Sequence, residues 1–557
     1  MFSALLVLPS ITNAQWVTDG TALCTQTGDQ KFQRVVSDGT GGAIVAWEDL
    51  RGSDADIYVQ RIDATGSTKW TTDGVAICTA IHSQFYPMIV SDGAGGAIVA
   101  WIDARSGDNH IYAQRVDGSG VAQWTTDGEV IAATNTLLIL PVDIVSDTAN
   151  GAIITWLDHR NGNQYVAYVQ RIDKSGVVQW TADGVELGNA GNDSYANAHI
   201  VEDGSGGAII SWPDDSGRIQ AQGVTSSGNF PSQWPFPTTI CSTTSVGGYW
   251  VPIVTDGAGG AIIAWEDNRN YGTSHDDIYA QRVDGNGYTQ WTTNGVPVTT
   301  WDRNQEYPGM VSDGAGGALI AWEDTRFDPT EQDWDIFMQR INGSGVVQWA
   351  GNDAPVSTEI HDQGFAGFVP DGSGGAVITW SDNRDGVNDI YAQRVDSAGQ
   401  LMWEPVGVAV CKASNDQESP YLEWDGSGGI VTWYDKRNDT DYDVYAQWVS
   451  ATGGVAAGVH DTPSAREVAL SPNFPNPFSG ETTVNLTLPR EEPVTVDVFD
   501  VAGRRVREIN EGRLHAGATT LAFDGRDNHA HALPSGVYFY RVHAGSETVT
   551  RKMLIEH

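Results

Sequence analysis

Cysteine is scarce in this sequence, with four residues in 557, and basic residues are heavily outnumbered: 31 Lys and Arg stand against 71 Asp and Glu, a formal charge of −40. A field of that sign repels nucleic acid and anionic membrane surfaces, so neither is an expected partner. No segment reaches the ~18 consecutive apolar residues of a spanning helix, so membrane insertion is not expected either. Stretches rich in Ala, Leu, Glu and Lys that would form long helices are missing. So are the Gly-x-Ser-x-Gly elbow, His-Glu-x-x-His and the P-loop, and the scattered histidines show no metal-ligand spacing.

Gly (64) and Trp (21) are abundant instead, the composition of many short strands joined by tight turns. One pattern recurs. It reads "SDGTGGAIVAWEDLR" at 37–51 and returns with substitutions at 91–105, 146–160, 202–216, 255–269, 312–326, 370–384 and 424–437. Its marker tryptophans are Trp47, Trp101, Trp156, Trp212, Trp265, Trp322, Trp380 and Trp433, spaced by 53 to 58 residues. Each unit parses into four short strands. The first runs into an Asp-Gly turn, the second is "GGAIVAW", the third "DIYAQRVD", and the fourth "QWTTDGVPV", as at 290–298. Four antiparallel strands at that period are the pattern of propeller blades.

The ends of the repeat fit together. The eighth unit reaches "DVYAQWVS" at 443–450 and then lacks the Trp-x-x-Asp-Gly strand, while "QWVTDGTALCT" at 15–25 supplies that piece before the first unit. The N-terminal strand is therefore expected to complete the last blade and remove the open edge. The predicted fold is all-β: an eight-bladed β-propeller over 15–457, a linker at 458–468 and an Ig-like β-sandwich over 469–557. Unit four is the most degenerate, and seven blades or an open array are the alternatives.

Repetition changes how candidate sites are read. Cys24, Cys78, Cys241 and Cys411 occupy one column of the repeat, so they fall on different blades, beyond the ~7 Å Cα separation a disulfide allows; they read as small buried residues. Arginine is columnar too. One column, Arg51, Arg105, Arg160, Arg269, Arg326, Arg384 and Arg437, follows Asp49, Asp103, Asp158, Asp267, Asp324, Asp382 and Asp435 by two residues and reads as a loop brace between blades. A second comprises Arg61, Arg115, Arg171, Arg282, Arg340 and Arg394. Arg34, Arg218 and Arg303 lie outside both. A catalytic site occurs once and should break the repeat, so no catalytic residue is assigned.

The strand 2–3 loops and the blade-to-blade connections open on one face. The loops are acidic, and the connections carry rings: Tyr86, Tyr249, Trp250, Tyr307, Phe365 and Tyr421. Rings beside carboxylates suit sugars or peptides and equally suit packing between blades. Asp54 with Asp56, and Asp333 with Asp335, are oxygen-rich pairs of the kind Ca²⁺ takes, without the twelve-residue EF-hand pattern. No cofactor is expected, and Ca²⁺ is the one ion these loops suit. The general architecture is similar to sialidase-like propellers, whose Asp-box is loosely echoed by Ser-Asp-Gly…Trp with different spacing.

The first residues, "MFSALLVLPSITNAQW", resemble a secretory signal peptide ending at Ala14, although no basic residue precedes Lys31. Beyond the repeat, "LSPNFPNPFSGETTVNLTLP" (470–489), "VTVDVFDVAGRRVREI" (494–509) and "DGRDNHAHALPSGVYFYRVHAGSETVTRKMLI" (524–555) resemble the C-terminal sorting domain of the bacterial type IX secretion system, an Ig-like sandwich related in form to the flagellar hook-capping Ig-like domain. Alternation of Val494, Val496 and Val498 gives one buried strand face independently of that resemblance. The resemblance implies export to the medium or the outer cell surface, with Gly536, Tyr538, Arg551 and Lys552 as the sorting signal and the type IX machinery as partner. The expected function is a monomeric binding or adhesion module for an extracellular glycan or protein. A glycoside hydrolase or lyase on the same scaffold is the alternative, and would gather non-repeat carboxylates, Tyr or His on one sector of one face.

Overall fold

The computed structural model describes residues 16–136, 142–160, 162, 164–191, 197–243, 250–272, 275–328, 332–349, 353–455, 469–470, 473, 476–488, 491–515, 517–545 and 547–556. The expected signal peptide (1–14) and linker (458–468) lie outside them. The described residues form strands and turns, without helix.

Eight four-stranded antiparallel sheets carry the repeat. We number them in chain order: sheet 1 (30–78), sheet 2 (84–136), sheet 3 (143–191), sheet 4 (199–241), sheet 5 (253–299), sheet 6 (305–357), sheet 7 (363–411) and sheet 8 (417–450). Sheet 8 takes its outer strand from the other end of the chain, Thr21–Cys24, which pairs antiparallel with Asp443–Ser450. The first strand of each sheet touches the first strand of the next, and that of sheet 8 touches that of sheet 1. The architecture is a β-propeller whose first strands surround the axis.

The second strand of each unit shows why the repeat is so apolar. Residues 43–47, "AIVAW", are fully buried. Ala43, Val45 and Trp47 enter the core shared with sheet 8, while Ile44 and Ala46 enter the core shared with sheet 2. Side chains that alternate across a strand thus feed two neighbouring cores, and no position faces water. The fourth strand is shorter than expected: the segment read as 290–298 is a strand only over Val296–Thr299. Asn294 and Gly295 have φ of 65° and 85°, which ends the extended run in a turn. At the matching turn of sheet 1, a Cβ on Gly74 would lie 2.5 Å from the Trp47 ring, so the Asp-Gly turn and the marker tryptophan are two sides of one contact.

Adjacent sheets are clasped by the second arginine column. Arg61 Nε donates to Asp38 at 2.9 Å and its Nη1 to the Gly118 carbonyl of sheet 2; Arg115, Arg171, Arg282, Arg340 and Arg394 repeat the pattern. Beside it, the Trp70 indole N–H donates to the same Gly118 carbonyl.

The C-terminal domain is a two-sheet sandwich. A three-stranded sheet (Ala469–Leu470, Thr482–Leu488, Gly517–Phe523) faces a four-stranded one in the order Arg505–Leu514, Glu492–Asp500, Gly536–Ala544, Glu547–Ile555. Val494, Val496 and Val498 point into its core as expected. The last strand (Glu547–Ile555) also docks on the propeller. Lys552 Nζ lies 2.6 Å from Asp335, the first residue of the third strand of sheet 6, and 3.4 Å from Asp333 in the insert before it. Arg551 pairs with Glu359, and Leu554 packs on the Trp322 core.

Candidate functional site in the central cavity

The Asp-x-Arg pairs, expected to brace neighbouring blades, each lie within a single sheet, because the arginine folds back onto the aspartate two residues before it. Asp103 is fully buried, accepts the Trp101 indole N–H at 2.9 Å and the Arg105 backbone N–H at 2.9 Å, and faces the Arg105 guanidinium. Arg105 continues to the Asp127 carbonyl at the turn before the fourth strand, and its face covers the Tyr112 ring at 3.9 Å. The preceding sheet enters through Cys78, whose Sγ lies 3.1 Å from Arg105 Nη2. All four cysteines are buried and free. Burial pushes the Cys24 and Cys78 thiols up to about 12, so these are inert thiols that fill space. Asp49, Asp267, Asp324, Asp382 and Asp435 with their arginines follow the same plan. In sheet 6, Asp353 supplies a second carboxylate to Arg326.

The first strands carry a bulge. Their register slips between Phe85 and Met88, and between Glu306 and Gly309, and Tyr86 and Tyr307 adopt φ of 55° and 52°. A ring residue in that region is strained and needs support from outside the strand. The preceding sheet supplies it. The freed N–H of Tyr86 faces Glu48 at 3.4 Å, and that of Tyr307 donates to Glu266 at 2.7 Å. Both rings stay exposed, with Phe32 edge-on to Tyr86 and Trp334 edge-on to Tyr307.

Burial pushes Glu48 up to about 7 and Glu266 up to about 8. A carboxyl raised in the folded state stabilises it fully below the unfolded value near 4.5 and loses that contribution as pH rises through the folded value. The melting temperature is expected to fall between pH 6 and pH 9. Glu266→Gln, which keeps an acceptor for Tyr307, should flatten that fall, and an unchanged fall in the variant would refute this role.

The first strands enclose a cavity of about 700 Å³ on the propeller axis. The residue four places before each Asp of the first turn lines it: Arg34, Met88, Asp143, His199, Pro252, Gly309, Gly367 and Tyr421. Seven residue types occupy the eight places of this column, whereas two residues later Val stands in seven sheets and Glu423 in the eighth. Asp143 Oδ2 lies 3.4 Å from His199 Nδ1, and the Trp250 ring meets His199 edge-on at 4.5 Å. Across sheets 1 and 8, the Arg34 guanidinium stacks on Tyr421 at 4.1 Å.

Of the ring residues expected to bind, Trp250, Tyr307 and Tyr421 line this cavity together. Tyr86 sits at 40 % exposure beside Phe32. Tyr249 and the side chain of Phe365 lie outside the described residues. Sequence reasoning missed Asp143 and His199 and noted Arg34 only as lying outside the arginine columns. The signal that would have found them is variance within the repeat, column by column. Asp333 and Asp335, considered for Ca²⁺, face Lys552 instead, and Asp56 and Asp335 are first residues of strands. Of the residues assigned to sorting, Tyr538, Arg551 and Lys552 are buried, and Gly536 opens the neighbouring strand Gly536–Ala544.

The family model of the FlgD Ig-like domain matches residues 472–548. A crystal structure of FlgD from Pseudomonas aeruginosa is 29% identical over 13% of this chain, with a TM-score of 0.12; the chain spans 60% of that protein. The BP39L lectin from Burkholderia pseudomallei is 10% identical over 67% of this chain and 98% of its own, with a TM-score of 0.45. The β-propeller domain of the Trilobed protease from Pyrococcus furiosus is 11% identical over 65% of this chain and 95% of its own, with a TM-score of 0.38. No curated protein matches the chain.

Proposed function

We propose that this chain is a monomeric extracellular binding protein that holds a glycan in its central cavity, and that its C-terminal domain directs it to the medium or the outer surface through the type IX route. The observation that carries the reading is the cavity wall: eight equivalent positions of the repeat present seven different residue types to one space on the propeller axis. Rings of Trp250, Tyr307 and Tyr421 offer apolar faces to sugar rings, and polar groups between them can fix orientation. A peptide ligand is the competing occupant.

The test is a glycan-array screen of the purified full chain in calcium-containing buffer. Binding of a defined glycan that Trp250→Ala or Tyr307→Ala weakens at least about tenfold, the order of one stacked ring, is expected. Binding that both variants leave intact would remove the ligand from the cavity, and an array without any signal would turn the reading to a protein ligand. The Asp143–His199 pair favours a second reading, a hydrolase or lyase at the same place. Cleavage of the bound glycan on prolonged incubation, abolished by His199→Gln, would establish it.

A further inference from the structure

We propose that the ligand of the central cavity bears a carboxylate, as a uronic-acid saccharide does, and that Arg34 is the residue that holds it. The inference rests on the cavity reading above and adds the chemical class of its ligand. Apart from Arg303, which lines a separate pocket with Trp301 and Asp302, the other arginines of this propeller are committed to structure. Both columns, and Arg218, end on aspartate. Arg34 has no carboxylate within ion-pair distance among the described residues, in a chain whose charge is −40.

The guanidinium is held but not satisfied. Its Nη1 donates to the Gln33 carbonyl at 2.9 Å, its Nε points at the Met88 thioether at 3.3 Å, and its face rests on Tyr421. Two of its five N–H groups are thereby engaged, and a thioether is a weak acceptor. The remaining three belong to a planar fork whose spacing matches the two oxygens of a carboxylate.

The acids that share the cavity wall, Asp143, Glu323 and Glu423, do not neutralise it; Glu323 stands on sheet 6, across the ring from Arg34 on sheet 1. Asp143 is turned to His199 and to the Ile200 N–H. Burial pushes Glu423 up to about 7, which leaves a large neutral fraction near neutrality. Trp250 and Tyr307 line the same space, so an acid group on Arg34 and a sugar face on a ring can belong to one ligand.

The experiment is calorimetric titration of the full chain with an oligosaccharide of uronic acid residues, with the same oligosaccharide after reduction of its carboxyl groups, and with a sulfated neutral oligosaccharide. Each is run on the wild type, Arg34→Gln and Arg34→Lys. The expected result is binding of the uronic oligosaccharide that weakens on the order of tenfold to a hundredfold in Arg34→Gln, the scale of one charged hydrogen-bond pair. Arg34→Lys should lie between the two, and the carboxyl-reduced ligand should be insensitive to the substitution. Equal affinity of acidic and reduced ligands for the wild type overturns the proposal while leaving the cavity reading intact, provided Trp250→Ala weakens both. Arg34-dependent binding of the sulfated ligand alone overturns the carboxylate assignment. Absence of binding by all three overturns this inference; the array screen then decides the cavity reading separately.

Discussion

Lys552→Met releases the C-terminal domain from the propeller at pH 8 and does so far less at pH 5. In the wild type the Lys552 ammonium is buried beside Asp335, which is itself fully buried. Burial holds the Asp335 carboxyl well above the usual carboxylate range, against the pull of Lys552. Removing one partner of such a pair costs about 3–5 kcal/mol, because the other charge stays buried alone. With Met at 552 the pull is gone, and Asp335 must take up a proton to remain docked. Docking in the variant is then present at low pH and lost as pH rises, where that proton is unavailable. Small-angle scattering on both proteins at the two pH values reads this directly. The variant should gain radius of gyration at pH 8 only, and scattering that superimposes on the wild type at pH 8 would refute the clamp. Asp335→Asn gives the reciprocal check, since it leaves Lys552 with Asp333 at 3.4 Å.

Asp103→Ala destabilises the propeller by about 3–5 kcal/mol, the cost of stripping one member from a buried charged pair. The carboxylate serves the Trp101 indole, the Arg105 backbone and the Arg105 guanidinium at once. Its loss leaves the Arg105 cation without its counter-ion and the Trp101 indole N–H without its acceptor inside the sheet. Urea unfolding should show the midpoint falling sharply. Replacing both members, Asp103→Leu with Arg105→Met, should cost less than the single change, because no charge is then stranded. A double variant as unstable as the sum of its parts would refute the brace as a coupled pair. Asp117→Ala, in an exposed turn, is the control and should move the midpoint little.

The propeller was legible because each sheet meets the same physical demand. Val and Ile alternate between two cores, and in seven of the eight sheets an aspartate collects the indole and the arginine; in sheet 4 the Trp212 indole donates to the Asn189 carbonyl and Asp214 takes Arg218. The missing fourth strand of the last unit was legible for the same reason. The cavity was legible only in part. Rings in the connections marked Trp250, Tyr307 and Tyr421, but Asp143 and His199 look like noise in a repeat until the first strands are brought round one axis. The docking of the C-terminal domain left no local trace. Lys552 and Asp333 stand 219 positions apart, and each resembles an ordinary surface charge in its own segment. The acidic insert read as a cation site because its carboxylates do receive a cation, one supplied by the chain itself.

The closure of sheet 8 also sets an order of events. Gln447 donates to the Val17 carbonyl across 430 positions of sequence, so the ring's last seam joins the two ends of the propeller's stretch of chain. Loop-closure entropy and contact order make such a pairing slow to form. Until 443–450 has emerged, the strand Thr21–Cys24 has no partner and sheet 8 has a bare edge. A chain that is threaded through a membrane before folding tolerates this wait; one that begins to fold during synthesis carries an unsealed ring, open to pairing with a neighbour, until nearly the whole propeller has been made.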